Sequence, residues 1–598
     1  MTAPSVVFPI DILIAHISKR VGSSSRAAQT TARKIQKTSR YSAALSFILK
    51  GMPRGGSSRN LASFLCNLKP MNLSFCSYRS VCFFAVASYL LSVFHACTHA
   101  SEVQFRVTVD PPQPTQPGKG RLIVFLINDE SKALKNQSPI GGPFWNDSQP
   151  LFAIDSDFKN TQSVVVDDRA DSFPVPPSKL APGSYRVQAR FDSARLNSNW
   201  RREPGNLWSD VTSFTVTTND SSAASKRPQV VELVLKNRTV VEAKKPVEGM
   251  EWFEVKSDLL SKFRGSEVML RAGVVLPTNY DPARKYPVLY EVPGFGGDHS
   301  SAASSRRRPA EGVRAELASS VFRIVLDPEG PNGHSLFADS ANNGPCGQAL
   351  VEELLPALEA KYPLISNASA RLLQGHSSGG WSTLWLALQY PETFGASWPS
   401  APDPVDFRRF QKVDIYSQSN FYADEQGNDM PSLRRGDKVT MSIRQEARGE
   451  DILGPDNTSA QQWDSWFAVF GPRNTAGNPA ALFDPISGAM DRSVAEQYRK
   501  YDIGHLLRTD PNRYLPIFRN NIRLICGTED SFYLNEAVEL LKAELTKLRV
   551  ESKDVGYVKL VPGDHGSVMA HESARAAPFE MLQHLKKFGH YLPTVANP

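Results

Sequence analysis

A glycine-flanked serine set between an apolar strand and an amphipathic helix limits this chain more than any other feature. Residues 371–380 read Arg-Leu-Leu-Gln-Gly-His-Ser-Ser-Gly-Gly, and Trp381, Leu384, Trp385 and Leu388 follow at the spacing of one helical face. A chain that passes from strand to helix in so few residues has to turn sharply. Gly375 and Gly379 remove the side chains that would collide in the turn, and Ser377 is left at its tip. Gly-x-Ser-x-Gly alone arises by chance in long sequences; the strand on one side and the helix on the other give it weight. The amide of Ser378 opens the helix and is expected to point at developing negative charge.

The surrounding pattern agrees with such a turn. From about residue 250 onward, apolar strands are expected at Val268–Leu276, Val288–Val292, Phe322–Leu326, Arg371–Gln374, Arg523–Cys526 and Tyr557–Val561, with amphipathic helices between them. Strands apolar throughout, alternating with helices, predict an α/β domain over 250–598 with a mostly parallel sheet covered on both faces. A polar, aromatic-dotted insertion at 402–515 breaks the rhythm. Residues 101–230 carry short alternating runs instead, such as Tyr185, Val187, Ala189 and Phe191, and predict a small all-β sandwich of immunoglobulin-like architecture. The Ser/Ala/Lys-rich stretch Thr218–Pro228 is expected as a linker.

The first hundred residues read as an address rather than a fold. Residues 1–70 hold 11 Lys/Arg against one acid, Asp11, which leaves −3 of the chain's total of +7 for everything after Pro70. That near-neutral body gives no general argument for a nucleic-acid partner. Residues 71–100 place Arg79, the apolar stretch Val81–Phe94 and Thr98-His99-Ala100 in the order of a secretory signal peptide, with Ser101 as the expected mature start and a secreted or periplasmic destination. The apolar run is short for a membrane span of about 20 residues. An uncleaved anchor and a lipid tether at Cys97 are the alternatives, and a membrane is expected only if the segment stays uncleaved. Residues 1–70 are either a presequence or lie upstream of a true start at Met71. Of the six cysteines, Cys66, Cys76, Cys82 and Cys97 fall in this region. Cys346 and Cys526 remain, either paired after export or as buried thiols. No CxxC pair or His/Cys cluster suggests a metal, and none is expected.

A serine hydroxyl becomes a nucleophile when a base takes its proton and an acid orients that base. In a sheet of this kind the acid and the histidine follow the serine in that order. Among the later histidines (His505, His565, His571, His584 and His590), only His565 lies in a short polar loop directly after an apolar strand. Gly527-Thr528-Glu529-Asp530 is the turn after the preceding core strand; Asp530 is the expected acid and Glu529 the alternative, while Asp564 reads as a turn residue. The glycine-rich loop Pro293-Gly294-Phe295-Gly296-Gly297 lacks the Lys-Ser/Thr ending of a phosphate-binding loop. It is expected to supply the second oxyanion donor from Phe295 N–H, with Gly296 next, beside Ser378 N–H. Trp463, Trp466, Phe467 and Phe470 share one helical face of the insertion; Trp463 and Trp466 are expected to bind substrate, the alternative being that the aromatic face only packs the insertion onto the core.

Taken together, Tyr286–Gly297, His334-Ser335 through Asn343–Gly347, the Gly375–Gly380 turn, Gly527–Asp530 and His565 resemble the esterase D-type "putative esterase" family of α/β-hydrolases. That family includes feruloyl and acetyl-xylan esterase modules, siderophore esterases, S-formylglutathione hydrolases and mycolyltransferases. The resemblance covers about residues 250–590. It implies a Ser-Asp-His triad, no metal or organic cofactor, and a small-molecule or carbohydrate ester as substrate. Cys346, where an aromatic residue is common, and the long insertion depart from the pattern. An acyltransferase using the same triad, or a silent binding protein on a hydrolase fold, are the other expectations.

Overall fold

A computed structural model describes residues 103–591 apart from 111–117, 146, 194–197, 218–227, 242, 307–310 and 550–553. The basic segment 1–70, the signal peptide 71–100 and the expected start at Ser101 lie outside the described residues.

The N-terminal part is one hydrogen-bonded sheet of nine strands: β1 (Val103–Val109), β2 (Lys119–Asn128), β3 (Leu151–Asp157), β4 (Ser163–Val166), β5 (Asp171–Phe173), β6 (Gly183–Asp192), β7 (Leu207–Ser209), β8 (Thr212–Val216) and β9 (Gln229–Arg238). Along the sheet the order is β4-β1-β9-β7-β6-β2-β3-β5, with β8 beside β6. Phe105 of β1 stacks on Phe152 of β3 at 5.7 Å between ring centroids, although four strands separate them in that order, so the sheet curls over its own core. β9 extends the domain to Arg238, past the expected boundary at 230. The stretch expected to link two domains instead joins β8 to β9 within one sheet.

β2 shows why a strand can lose its alternation. Leu122, Val124 and Leu126 enter the core of the curled sheet, while Ile123 and Phe125 pack on the other face against Ile452 and Leu453 of the distant insertion. With both faces covered, every residue from Arg121 to Ile127 is buried. The Arg121 guanidinium donates to the Ile452 carbonyl at 2.9 Å and pins the same contact.

The C-terminal part is built on an eight-stranded sheet: β10 (Met250–Lys256), β11 (Met269–Val275), β12 (Val288–Val292), β13 (Phe322–Leu326), β14 (Arg371–His376), β15 (Ala396–Ser400), β16 (Arg523–Gly527) and β17 (Tyr557–Val561). Its order is β10-β11-β13-β12-β14-β15-β16-β17. The two pairings made by β11 are antiparallel, and every other pairing is parallel. The six expected strands are all present; β10 and β15 are additional. β15 reads Ala-Ser-Trp-Pro-Ser, which lacks β-branched residues and carries Pro399, yet all five residues are buried in the middle of the sheet. The helices that matter below are α1 (Ser378–Gln389), α2 (Ile443–Leu453), α3 (Gln462–Phe470), α4 (Leu534–Lys547) and α5 (Ala577–Lys587). Cys346 and Cys526 are both buried and unpaired. Among the described residues no helix is long and apolar enough to cross a membrane.

Candidate active site

The tight turn expected from the sequence is present. Ser377 caps α1 with φ 60° and ψ −129°, a conformation that a residue with a side chain adopts only where its surroundings force it. Both motif glycines are sterically required. A Cβ on Gly375 would sit 2.1 Å from the Gly379 carbonyl oxygen, and one on Gly379 would sit 2.0 Å from that of Val292 in β12. The turn is therefore clamped between β14 and β12. Ser377 N–H donates to Ser400 O in β15 at 3.0 Å, which ties the tip to the strand on the other side.

His565 and Asp530 meet at the ends of β17 and β16. His565 Nδ1 lies 2.7 Å from Asp530 Oδ2, and Asp530 is fully buried. The second carboxylate oxygen of Asp530 accepts Phe532 N–H at 2.9 Å and Leu534 N–H at 3.4 Å, so the acid also holds the start of α4. With Nδ1–H committed to Asp530, His565 presents Nε2 as its free base. Burial acts to lower the His565 pKa, but the hydrogen bond and charge of Asp530, with Asp403 and Asp564, outweigh it and hold the group above its ordinary value. Among the described residues Ser377 Oγ has no hydrogen-bond partner; nucleophile–base contacts are often loose before substrate binds. Glu529, the alternative acid, is exposed, and Asp564 accepts the N–H groups of Gly566 and Ser567 as a turn residue. His584 packs with Nε2 on Ser369 O, and His571 caps the short helix that follows it.

The loop after β12 runs beside the nucleophile: a Cβ on Gly294 would lie 3.4 Å from Ser377 Cβ. Phe295 and Gly296 follow in a turn closed by Gly297 N–H on Gly294 O at 2.9 Å. Phe295 N–H donates to no backbone carbonyl among the described residues, and Ser378 N–H is the first of the unfilled donors at the start of α1. His334 fixes this loop from below. Its Nε2–H donates to Pro293 O at 3.0 Å while its Nδ1 accepts Leu336 N–H at 3.1 Å. Burial pushes its pKa down to about 4, which keeps the ring neutral and in that tautomer.

Of the two expectations for Trp463 and Trp466, the structure shows core packing. They are 1% and 3% exposed, and each indole N–H is committed: Trp463 to Glu446 at 3.0 Å and Trp466 to Asp403 at 2.8 Å. Their rings pack against each other and against Phe410, Phe421 and Phe483. The aromatic face of α3 is turned inward, so the expected substrate platform is corrected to core.

Two residues of the insertion do reach the site, and the sequence did not single them out. Asp403 lies under the nucleophile turn and accepts Ser378 Oγ–H at 2.8 Å; Arg434 donates to the Asp530 carbonyl at 2.9 Å. Asp298, His299 and Asp327 form a further cluster of metal-type donors, all within 4.8 Å of one another. The Lys244 amine contacts His299 and Arg202 pairs with Asp298 at 2.9 Å, so cations from the chain itself already balance these carboxylates. A cleft of about 410 Å³ lined by Gly395, Asn521, Arg523 and residues of α5 opens where β15 and β16 begin, at the opposite end of the sheet from the triad.

Eight strands in this order, a strained serine between β14 and α1, and a buried acid–histidine pair on the following strand ends define an α/β-hydrolase. Residues 267–475 match the family described as "Putative esterase". The match takes in the loop at 293–297 and Ser377 and ends before Asp530 and His565. Solved structures similar to this chain include the fluorophosphonate-binding serine hydrolase F of Staphylococcus aureus, at 14% identity over 56% of this chain and 98% of that one, with a TM-score of 0.33. An S-formylglutathione hydrolase from Agrobacterium tumefaciens is 15% identical over 58% and 98%, with a TM-score of 0.32. A ferulic acid esterase from Anaeromyces mucronatus is 16% identical over 57% and 91%, with a TM-score of 0.27.

Proposed function

We propose that the protein is an exported serine esterase that cleaves carboxylic esters through an acyl-Ser377 intermediate. The observation that carries this reading is the 2.7 Å Asp530–His565 pair on the strand ends beyond a serine held at φ 60°. Ser377 Oγ attacks the ester carbonyl as its proton passes to His565 Nε2. Asp530 holds the ring and offsets the imidazolium charge. The carbonyl oxygen, now an oxyanion, is received by the N–H groups of Ser378 and Phe295, with Gly296 beside them. Collapse expels the alcohol, which takes the proton from His565, and water repeats the sequence on the acyl group to release the acid. No metal or organic cofactor enters these steps.

The proposed substrates are carboxylic esters in general. With Trp463 and Trp466 in the core, a carbohydrate-linked ester loses the aromatic platform that suggested it. Export rests on the order of Arg79, the apolar stretch and Thr98-His99-Ala100, and mature protein is expected to begin at Ser101. The N-terminal sheet reads as an immunoglobulin-like sandwich, supported by the core that β1 and β3 share. A fluorophosphonate probe tests the mechanism: it should label the protein on Ser377, and the label should vanish in Ser377→Ala. Labelling elsewhere, or short-chain ester cleavage that survives the substitution, would overturn it.

A further inference from the structure

Asp403 lies just past the end of β15, after Ala401 and Pro402, and is 2% exposed beneath the nucleophile turn. One of its oxygens, Oδ2, accepts two hydrogen bonds of 2.8 Å, one from Ser378 Oγ and one from Trp466 Nε1. Its own N–H reaches the Ser377 carbonyl at 3.4 Å. A serine hydroxyl and an indole N–H need only a neutral acceptor, such as an amide or a carbonyl. Burying a carboxylate is costly, so a charge kept at this place calls for a use of the charge itself. That use is close by, because Asp403 is among the groups whose negative charge favours protonated His565.

We propose that Asp403 is a positioning residue of the active site with two tasks. Through Ser378 Oγ it fixes the first turn of α1 and with it the oxyanion amide of Ser378. Through its charge it steadies the imidazolium that His565 becomes during attack on the ester. The inference rests on the acyl-Ser377 reading above. It also gives the insertion a part in catalysis, because Trp466 of α3 holds the same carboxylate oxygen that receives Ser378.

The groups around His565 are few. Asp530 bonds Nδ1, Asp564 and Asp403 contribute charge, the Phe532 ring meets it edge-on at 4.9 Å, and the His376 ring lies 4.6 Å away. Burial keeps His376 neutral, its pKa pushed down to about 4, so it adds no opposing charge. Burial also raises Asp403 to about 6, against the pull of its two donors, so its carboxylate is formed at neutral and alkaline pH.

The test is Asp403→Asn in the full chain, because asparagine keeps an oxygen for both donors and loses the charge. The variant should still react with the fluorophosphonate probe. Its kcat on a short-chain ester should fall about tenfold with KM nearly unchanged, and the acid-limb midpoint of kcat/KM should drop by about half a pH unit or more. Ser378→Ala removes the tether and one of the two donors but keeps the carboxylate, so it should lower kcat while moving that midpoint less than Asp403→Asn does, which separates the two tasks. Should Asp403→Asn fail to fold, Trp466→Phe replaces it. One donor fewer leaves Asp403 neutral to higher pH, and the midpoint should again move down. A midpoint that stays within about 0.2 unit of the parent in folded Asp403→Asn, or in Trp466→Phe where it is the replacement, would overturn the proposal. Its failure is distinguishable from failure of the underlying reading: the first leaves Ser377→Ala dead, while the second leaves it active.

Discussion

The strand-end loops and the long insertion meet at one face of the sheet, but they carry different loads. The loops hold the candidate reacting groups at a strained or partly open surface: Ser377 at φ 60°, His565 part-exposed, and Phe295 and Gly296 at the rim. What fixes them is short-range: glycine contacts, caps, and the hydrogen bonds of Asp530 and His334. The insertion is the reverse. Trp463, Trp466, Phe470 and Tyr498 are almost wholly buried, and α2 is gripped from the far side by β2 of the N-terminal sheet. It behaves as a second core beside the sheet and touches the chemistry at two points, Asp403 and Arg434. A feature that looks from its length like a lid can therefore be ballast that positions a site from within.

Substitutions can break this division. The largest effect is expected at His565→Ala, which should leave the fold intact and cut kcat by about 10⁴-fold or more in a steady-state ester assay. Asp530→Asn should follow with a loss of about 10²- to 10⁴-fold, since the ring keeps a neighbour but loses its enforced tautomer. If either variant instead unfolded with parental activity per folded molecule, the loops would be structural and the contrast would fail. Trp463→Ala should act in the opposite way: about 3–5 kcal/mol less stable by denaturant unfolding, with KM close to parental in the fraction that folds. A large KM increase with unchanged stability would restore the substrate platform that its 1% exposure denies. Glu529→Gln, at an exposed position beside the acid, should change neither activity nor stability by more than about twofold and 0.5 kcal/mol.

The pH profile sharpens the same contrast. His565 must be neutral to accept the Ser377 proton, and its pKa is raised, so kcat/KM should climb with pH through a midpoint above the ordinary histidine value. The sign for stability is opposite. Protonated His565 stabilises the folded state fully below the unfolded value, and this contribution is lost as pH rises through the folded one. A midpoint below about 6 would mean that burial outweighs the surrounding carboxylates.

The parts legible in the sequence are those fixed by local chemistry. A strand, two glycines and a helix locate Ser377; a loop after an apolar strand locates His565; a turn after another locates Asp530. Each needs only a few consecutive residues. β15 was not legible because Ser, Trp and Pro at 397–399 carry no strand pattern, and without that strand Asp403 looked like one more acid in a polar insertion rather than a strand-end residue. The inward turn of α3 was not legible either. A helical aromatic face is the same in sequence whether it meets substrate or core, and only the partners Glu446 and Asp403 decide between them. The extent of the N-terminal sheet is hidden for a related reason: β9 pairs in parallel with β1, which is more than a hundred residues away, and no local signal announces such a partner.

The most direct test of the account is Ser377→Ala assayed with the parental protein on a short-chain ester and with a fluorophosphonate probe. The account predicts a folded variant with the same thermal transition, no probe adduct, and kcat lower by about 10⁴-fold or more. A variant that hydrolyses the ester near the parental rate, or that still takes the probe, would contradict it.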